Sequence, residues 1–81
     1  MNRFNNVKEA LKELIEDSDV PRNLREKLKN MITYINSTEE HDDLKANKLL
    51  QELEELSSDI NVPTFIRTQL WSVSSLLEQI K

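Results

Sequence analysis

Eighty-one residues, 37% apolar and 32% charged, supply one modest core, and a net charge of −4 argues against general affinity for nucleic acid. The absence of cysteine excludes disulfides, thiolate metal sites, iron–sulfur clusters and a cysteine nucleophile, while the absence of glycine disfavours phosphate-cradling loops, dinucleotide fingerprints and nucleophile elbows. No run approaches the roughly 20 apolar residues of a membrane span, and residues 1–6 lack the apolar core of a signal peptide, so a cytoplasmic protein is the expectation.

The first helix is predicted from about residue 6 to residue 18, with Phe4, Val7, Leu11, Leu14 and Ile15 on one stripe at helical spacing. Asn2, Asn5 and Asn6 all offer N-cap oxygens. The second helix starts at Pro21, whose fixed φ and missing N–H suit the first helical position. That proline pushes Val20 out of the α region, so the chain turns there. Leu24, Leu28, Met31, Ile32 and Ile35 carry the second helix to about Asn36. Ser37-Thr38-Glu39-Glu40 reads as a capping box, Ser37 paired with Glu40, opening a third helix that ends near Ser58. Its inner stripe is Leu44, Leu49, Leu50, Leu53 and Leu56. The fourth helix starts at Pro63 by the logic of Pro21 and carries Phe65, Ile66, Leu70, Val73, Leu76, Leu77 and Ile80. Without glycine, Asn36 and Asn61 are the candidates for left-handed C-cap residues. No segment alternates with period two, so no strand is predicted.

The chain repeats itself at an offset of 42 residues. Glu13, Leu14, Asp17, Val20, Pro21, Arg25 and Leu28 fall on Glu55, Leu56, Asp59, Val62, Pro63, Arg67 and Leu70, and the apolar stripes follow. A period of this length marks a helical-hairpin repeat. Helices of about 13 to 18 residues are marginal alone, so their stripes must bury one another. Short connections make sequential helices antiparallel neighbours. The expectation is a single all-α domain over residues 1–81: an up-and-down four-helix bundle built from two similar hairpins, about 6–36 and 39–81. A two-repeat solenoid would lack capping repeats.

Asp17 and Arg25, and again Asp59 and Arg67, bracket each Val-Pro corner at a spacing of eight. An aspartate in the last turn of a helix opposes the macrodipole and needs an offset. The arginine one turn into the next helix is expected to fold back across the corner, to the aspartate or to free carbonyls. The role is structural, because one corner lock explains both copies.

The corners Val20-Pro21-Arg22-Asn23-Leu24-Arg25 and Val62-Pro63, the string Arg67-Thr68…Trp71 and the closing Leu77-Glu78-Gln79-Ile80-Lys81 resemble an uncharacterised protein family of archaea over essentially the whole chain. The resemblance implies a small all-helical four-helix bundle in an archaeal, cytoplasmic setting, with no established activity. The family carries prolines near the start of the third helix and just before the second corner, where this chain has Asp42 and Ile60.

His41 is the only histidine, within Glu39-Glu40-His41-Asp42-Asp43. Adjacent helical residues point in different directions and make a poor chelator, so this run reads as an acidic first turn complementing the dipole. Serines lack a placed histidine, and Glu13/Glu16 and Glu52/Glu55 read as ordinary exposed helix positions. No catalytic residue, cofactor or metal is assigned, and the protein is not expected to be an enzyme. Residues 21–36 hold Arg22, Arg25, Lys27 and Lys29 against Glu26, for +3, whereas residues 39–59 total −6. Arg22, Arg25 and Lys29 along one face could touch nucleic acid, but the acidic total and the lack of interleaved aromatics oppose it.

In the fourth helix Trp71 points almost opposite the middle of the apolar stripe. Thr64, Thr68, Ser74 and Ser75 surround it, and Arg67 and Glu78 are the only charges. A solvated helix face normally carries many charges; small hydroxyls around one tryptophan look like a surface that another surface covers. The competing accounts are an indole lying over Arg67, or residues 1–5 folding across it. The preferred reading is a protein–protein interaction module or homo-oligomer using Thr64, Arg67, Thr68, Trp71 and Ser75. The alternatives are a nucleic-acid-associated protein using the basic second helix, and a metal binder or small enzyme at the acidic start of the third.

Overall fold

The computed structural model describes residues 3–37 and 39–80 and divides into two compact units, Met1–Glu39 and Glu40–Lys81. The first holds α1 (Asn5–Glu16) and α2 (Arg22–Ser37); the second holds α3 (Asp42–Ser57) and α4 (Thr64–Glu78). No strand occurs among the described residues, so the fold is all-α. Each unit is a helical hairpin, α1 packing on α2 and α3 on α4. In the first hairpin Lys8 Nζ donates to Asn36 Oδ1 at 3.1 Å, tying the start of α1 to the end of α2 and making the pair antiparallel.

Apolar residues three and four apart put one stripe of each helix inside. Val7, Leu11 and Leu14 are buried on α1, and Leu24, Leu28, Met31 and Ile35 on α2. Ala46, Leu49, Leu53 and Leu56 are buried on α3, and Ile66, Leu70, Val73 and Leu77 on α4. Adding Phe4, Val20 and Val62 completes the buried set among the described residues, and every member has its counterpart 42 positions away, Phe4 matching Ala46 and Val20 matching Val62. Leu14, Leu28, Leu56 and Leu70 are all among them.

Several boundaries differ from the sequence expectation, each for a local reason. Phe4, buried, occupies the N-cap position of α1 without a side-chain cap; its carbonyl accepts from the Lys8 N–H at 2.8 Å. Burial of the ring fixes that start, and Asn5 and Asn6 lie inside the helix. Asn2 lies outside the described residues. Pro63 is an N-cap (φ −58, ψ 149), not the first helical residue, and its carbonyl takes the N–H of Ile66 at 3.0 Å and of Arg67 at 3.1 Å. Likewise α2 begins at Arg22, and the Pro21 carbonyl accepts from Arg25 N–H at 2.9 Å. A proline's fixed φ suits this half-in position as well as the next one.

The capping box does not form. Ser37 ends α2 and donates its Oγ to the Thr33 carbonyl, α3 begins only at Asp42 behind His41, and Glu40 pairs with Lys48 Nζ at 3.0 Å. Thr38, the box's second residue, lies outside the described residues. No described residue has positive φ, so Asn36 and Asn61 are not left-handed caps. Asn36 continues α2, and Asn61 lies in the turn between α3 and α4, where its N–H donates to Asp59 Oδ1.

Leu44 and Phe65, placed on inner stripes by the sequence, are 45% and 46% exposed. Leu44 lies about 200° around α3 from Ala46, on the outer face, and Phe65 about 100° from Ile66. Ala46, fully buried, takes the place expected of a leucine.

Candidate functional site

The two corners repeat their turn hydrogen bonds and differ in how many carbonyls the arginine holds. Asp17 N–H donates to Leu14 O at 3.2 Å and Val20 N–H to Asp17 O at 3.1 Å; Asp59 N–H donates to Leu56 O at 3.3 Å and Val62 N–H to Asp59 O at 3.1 Å. Each aspartate turns its carboxylate forward: Asp17 Oδ1 accepts from Asp19 N–H and Asp59 Oδ1 from Asn61 N–H, both at 2.9 Å. These are the local turns that aspartate side chains favour. Arg25 Nη2 donates to Asp17 O at 3.3 Å and Val20 O at 3.0 Å, and Arg67 Nη2 to Asp59 O at 3.0 Å.

Of the two expected targets, the arginines take the carbonyls. A guanidinium there sits at the negative end of the preceding helix, where a cation is favoured and the nearby aspartate is offset. Val20 and Val62 anchor the corners, buried behind Pro21 and Pro63. Nothing in this arrangement presents a reactive group.

The outer surfaces of the hairpins do not repeat. On α2 the exposed residues include Arg22, Asn23, Glu26, Lys27 and Lys29. Their counterparts on α4 are Thr64, Phe65, Thr68, Gln69 and Trp71, all exposed and none charged. Trp71 is 60% exposed. At the corners exposed Ser18 is matched by Ile60, which is 88% exposed. Among the described residues the large exposed apolar side chains are Leu44, Ile60, Phe65 and Trp71, all in the second hairpin. Phe65 and Ile60 are exposed apolar residues of the same hairpin that the reading of the helix around Trp71 did not include. Comparing the repeats position by position, rather than reading one helix, is the sequence signal that finds them.

Two hydroxyls of α4, those of Thr68 and Ser72, are satisfied by their own helix. Thr68 Oγ1 donates to Thr64 O at 3.2 Å and Ser72 Oγ to Thr68 O at 3.3 Å. Covering them therefore strands few donors. Arg67, half-buried, bonds to the corner carbonyl through Nη2. Residues 1 and 2, part of the segment expected as a possible cover for Trp71, lie outside the described residues.

The other sequence candidates are dispersed. Arg22 and Lys29 are exposed on α2, but Arg25 is drawn into its corner, so three expected cations on one face become two. His41 is exposed ahead of α3, and Asp43 Oδ1 accepts from the Leu44 N–H at 3.0 Å. Among the described residues no three acidic, histidine or cysteine side chains are grouped to hold a metal ion, and no helix is long and apolar enough to cross a membrane.

A model of an uncharacterised protein family, UPF0147, matches residues 1–80. A UPF0147 protein of Methanothermobacter thermautotrophicus is 36% identical over 78 residues, covering 96% of this chain and 76% of its own. One from Pyrococcus furiosus is 36% identical over 80 residues, 98% of this chain and 86% of its own. A crystal structure of a protein from the same family, from Thermoplasma acidophilum, matches with a TM-score of 0.88 at 35% identity, over 99% of this chain and 94% of that one. A crystal structure of a protein of unknown function matches with a TM-score of 0.86 at 34% identity, over 98% of this chain and 90% of that one.

Proposed function

This chain belongs to the uncharacterised protein family UPF0147, whose function is unknown, and from the outer face of α4 we propose that it is a small cytoplasmic recognition module. It works by binding a protein surface, not by catalysis. The contact is centred on Trp71 and flanked by Thr64, Arg67, Thr68 and Ser75, with Phe65 extending it.

One observation carries the reading. The two hairpins share their buried positions and the main-chain hydrogen bonds of their turns, so folding places closely similar demands on both. Yet α2 keeps a charged exterior, and α4 replaces it with threonine, phenylalanine and tryptophan. Stability does not ask for a 60% exposed indole. Tryptophan and arginine are the residues that most often dominate interface energetics.

The repeat supplies its own control. A photo-crosslinking benzophenone side chain placed at Ser75, and separately at its counterpart Thr33, reports on the two exteriors in the producing cell. Adducts from position 75 and none from position 33 are expected. Equal labelling at both, or none at 75, would remove the basis for the proposal.

A further inference from the structure

We propose that the occupant of this face is a second copy of the same chain, with the two α4 helices antiparallel across a two-fold axis between Trp71 and Ser72; this rests on the reading of the face as a recognition surface. The argument is charge self-complementarity. The charges of α4 are Arg67 and Glu78, eleven positions apart and on nearly the same flank. At 1.5 Å per residue that separates them by about 16 Å along the axis.

A two-fold antiparallel pairing keeps each flank against the same flank of the other copy and reverses its direction. Arg67 of one chain then lies beside Glu78 of the other, twice per dimer. A parallel two-fold pairing would set each flank against the opposite flank of the other copy, which carries no charge on α4, and would leave Arg67 and Glu78 without partners there. Arg67 uses Nη2 on the Asp59 carbonyl, and the bond leaves Nη1 for a second acceptor.

Between the charged ends, the exposed Thr68, Ser72 and Ser75 are small enough for close helix approach, about 8 Å between axes. Their images do not repel, and Thr68 and Ser72 already donate within their own helix. Trp71 lies beside the axis, so the two indoles meet side by side, in reach of offset stacking. The same operation sets Thr68 of one chain opposite Ser75 of the other. The isologous contact closes at two copies and leaves no open end to propagate.

The test uses the purified full chain. Light scattering and native mass spectrometry up to about 1 mM protein should show a dimer. Trp71→Ala and, independently, Ser75→Glu, which forces a larger, charged side chain against Thr68 of the other copy in the close-packed seam, should each weaken it by about 30-fold or more. Because the chain has no cysteine, Thr68→Cys/Ser75→Cys on oxidation should give a dimer linked by two disulfides, each joining position 68 of one copy to position 75 of the other. Seven positions along one helix are too far apart for a bridge within a chain. A monomer throughout that range, or a dimer indifferent to both surface variants, overturns the second-copy proposal. In the first case, photo-adducts at position 75 with some other mass would leave the recognition surface standing with a different occupant, whereas no adducts would remove both.

Discussion

Arg67 donates to the backbone carbonyl of Asp59 at 3.0 Å, while the Asp59 carboxylate accepts from Asn61 N–H at 2.9 Å. Two residues of opposite charge, eight apart, thus meet through the main chain instead of as an ion pair. Arg25 and Asp17 do the same in the first hairpin, and Arg25 adds the Val20 carbonyl at 3.0 Å. In both copies the guanidinium Nε is buried without a partner. The arginine is therefore a clamp on the end of the preceding helix, and the aspartate shapes the turn.

Arg25→Ala should cost about 1–2 kcal/mol and Arg67→Ala about 1 kcal/mol, because one arginine holds two carbonyls and the other holds one. Since the acceptors are carbonyls, a double-mutant cycle between Asp17→Asn and Arg25→Ala should show coupling below about 0.5 kcal/mol. Urea melts of the parent, the three variants of the cycle and Arg67→Ala measure all of these. A coupling well above that value would mean the ion pair forms in solution.

Corner shape should matter more than corner charge. Val20 is 2% exposed and Val62 8% exposed, so Val20→Asp or Val62→Asp would bury a carboxylate at a corner whose arginine is already committed to main-chain carbonyls and should cost about 3 kcal/mol or more. If the arginine variants melt earlier than these, the clamp is worth more than its hydrogen bonds indicate.

Leu28→Ala and Leu70→Ala should each cost about 2–5 kcal/mol, since both side chains are fully buried. Ala46 is also fully buried, and Ala46→Leu should overpack α3 and cost about 1–3 kcal/mol. Leu44→Ala, at a position 45% exposed, should stay within about 1 kcal/mol of the parent. Thermal or urea melts rank the four, and a Leu44 variant as damaging as Leu70→Ala would mean the register of α3 is misassigned.

The parts of this molecule set by periodicity were readable from its sequence. Leu11, Leu28, Leu53 and Leu70 announce their burial by spacing, and the Val-Pro dipeptides announce both corners. The burial of Ala46 is faint in sequence because a small apolar residue carries little hydrophobic signal beside Leu44, and its match to Phe4 at the repeat offset reveals it. The helix starts are ambiguous in sequence where two solutions have similar local chemistry: proline fits the N-cap and the next position, and Ser37 can cap one helix or back-bond to the end of another. Trp71's exposure was legible from its angle on the helix. The exposure of Ile60 and Phe65 was not, because exposure of an apolar residue is visible only once the buried register is fixed.

The last prediction uses the chain's single tryptophan as its own reporter. With the indole 60% exposed, Trp71→Lys, which installs the residue found at the matching position Lys29, should shift stability by about 1 kcal/mol or less. That contrasts with the large loss at neighbouring Leu70. In the parent, emission should be that of a solvated indole when dilute and should move to shorter wavelength as concentration rises and the face is covered. Glutamate at position 75 should abolish that concentration dependence without altering the dilute spectrum. A dilute, monomeric parent that already emits as a buried indole, together with a Trp71→Lys variant as unstable as Leu70→Ala, would make the tryptophan a packing residue and leave α4 with no recognition face.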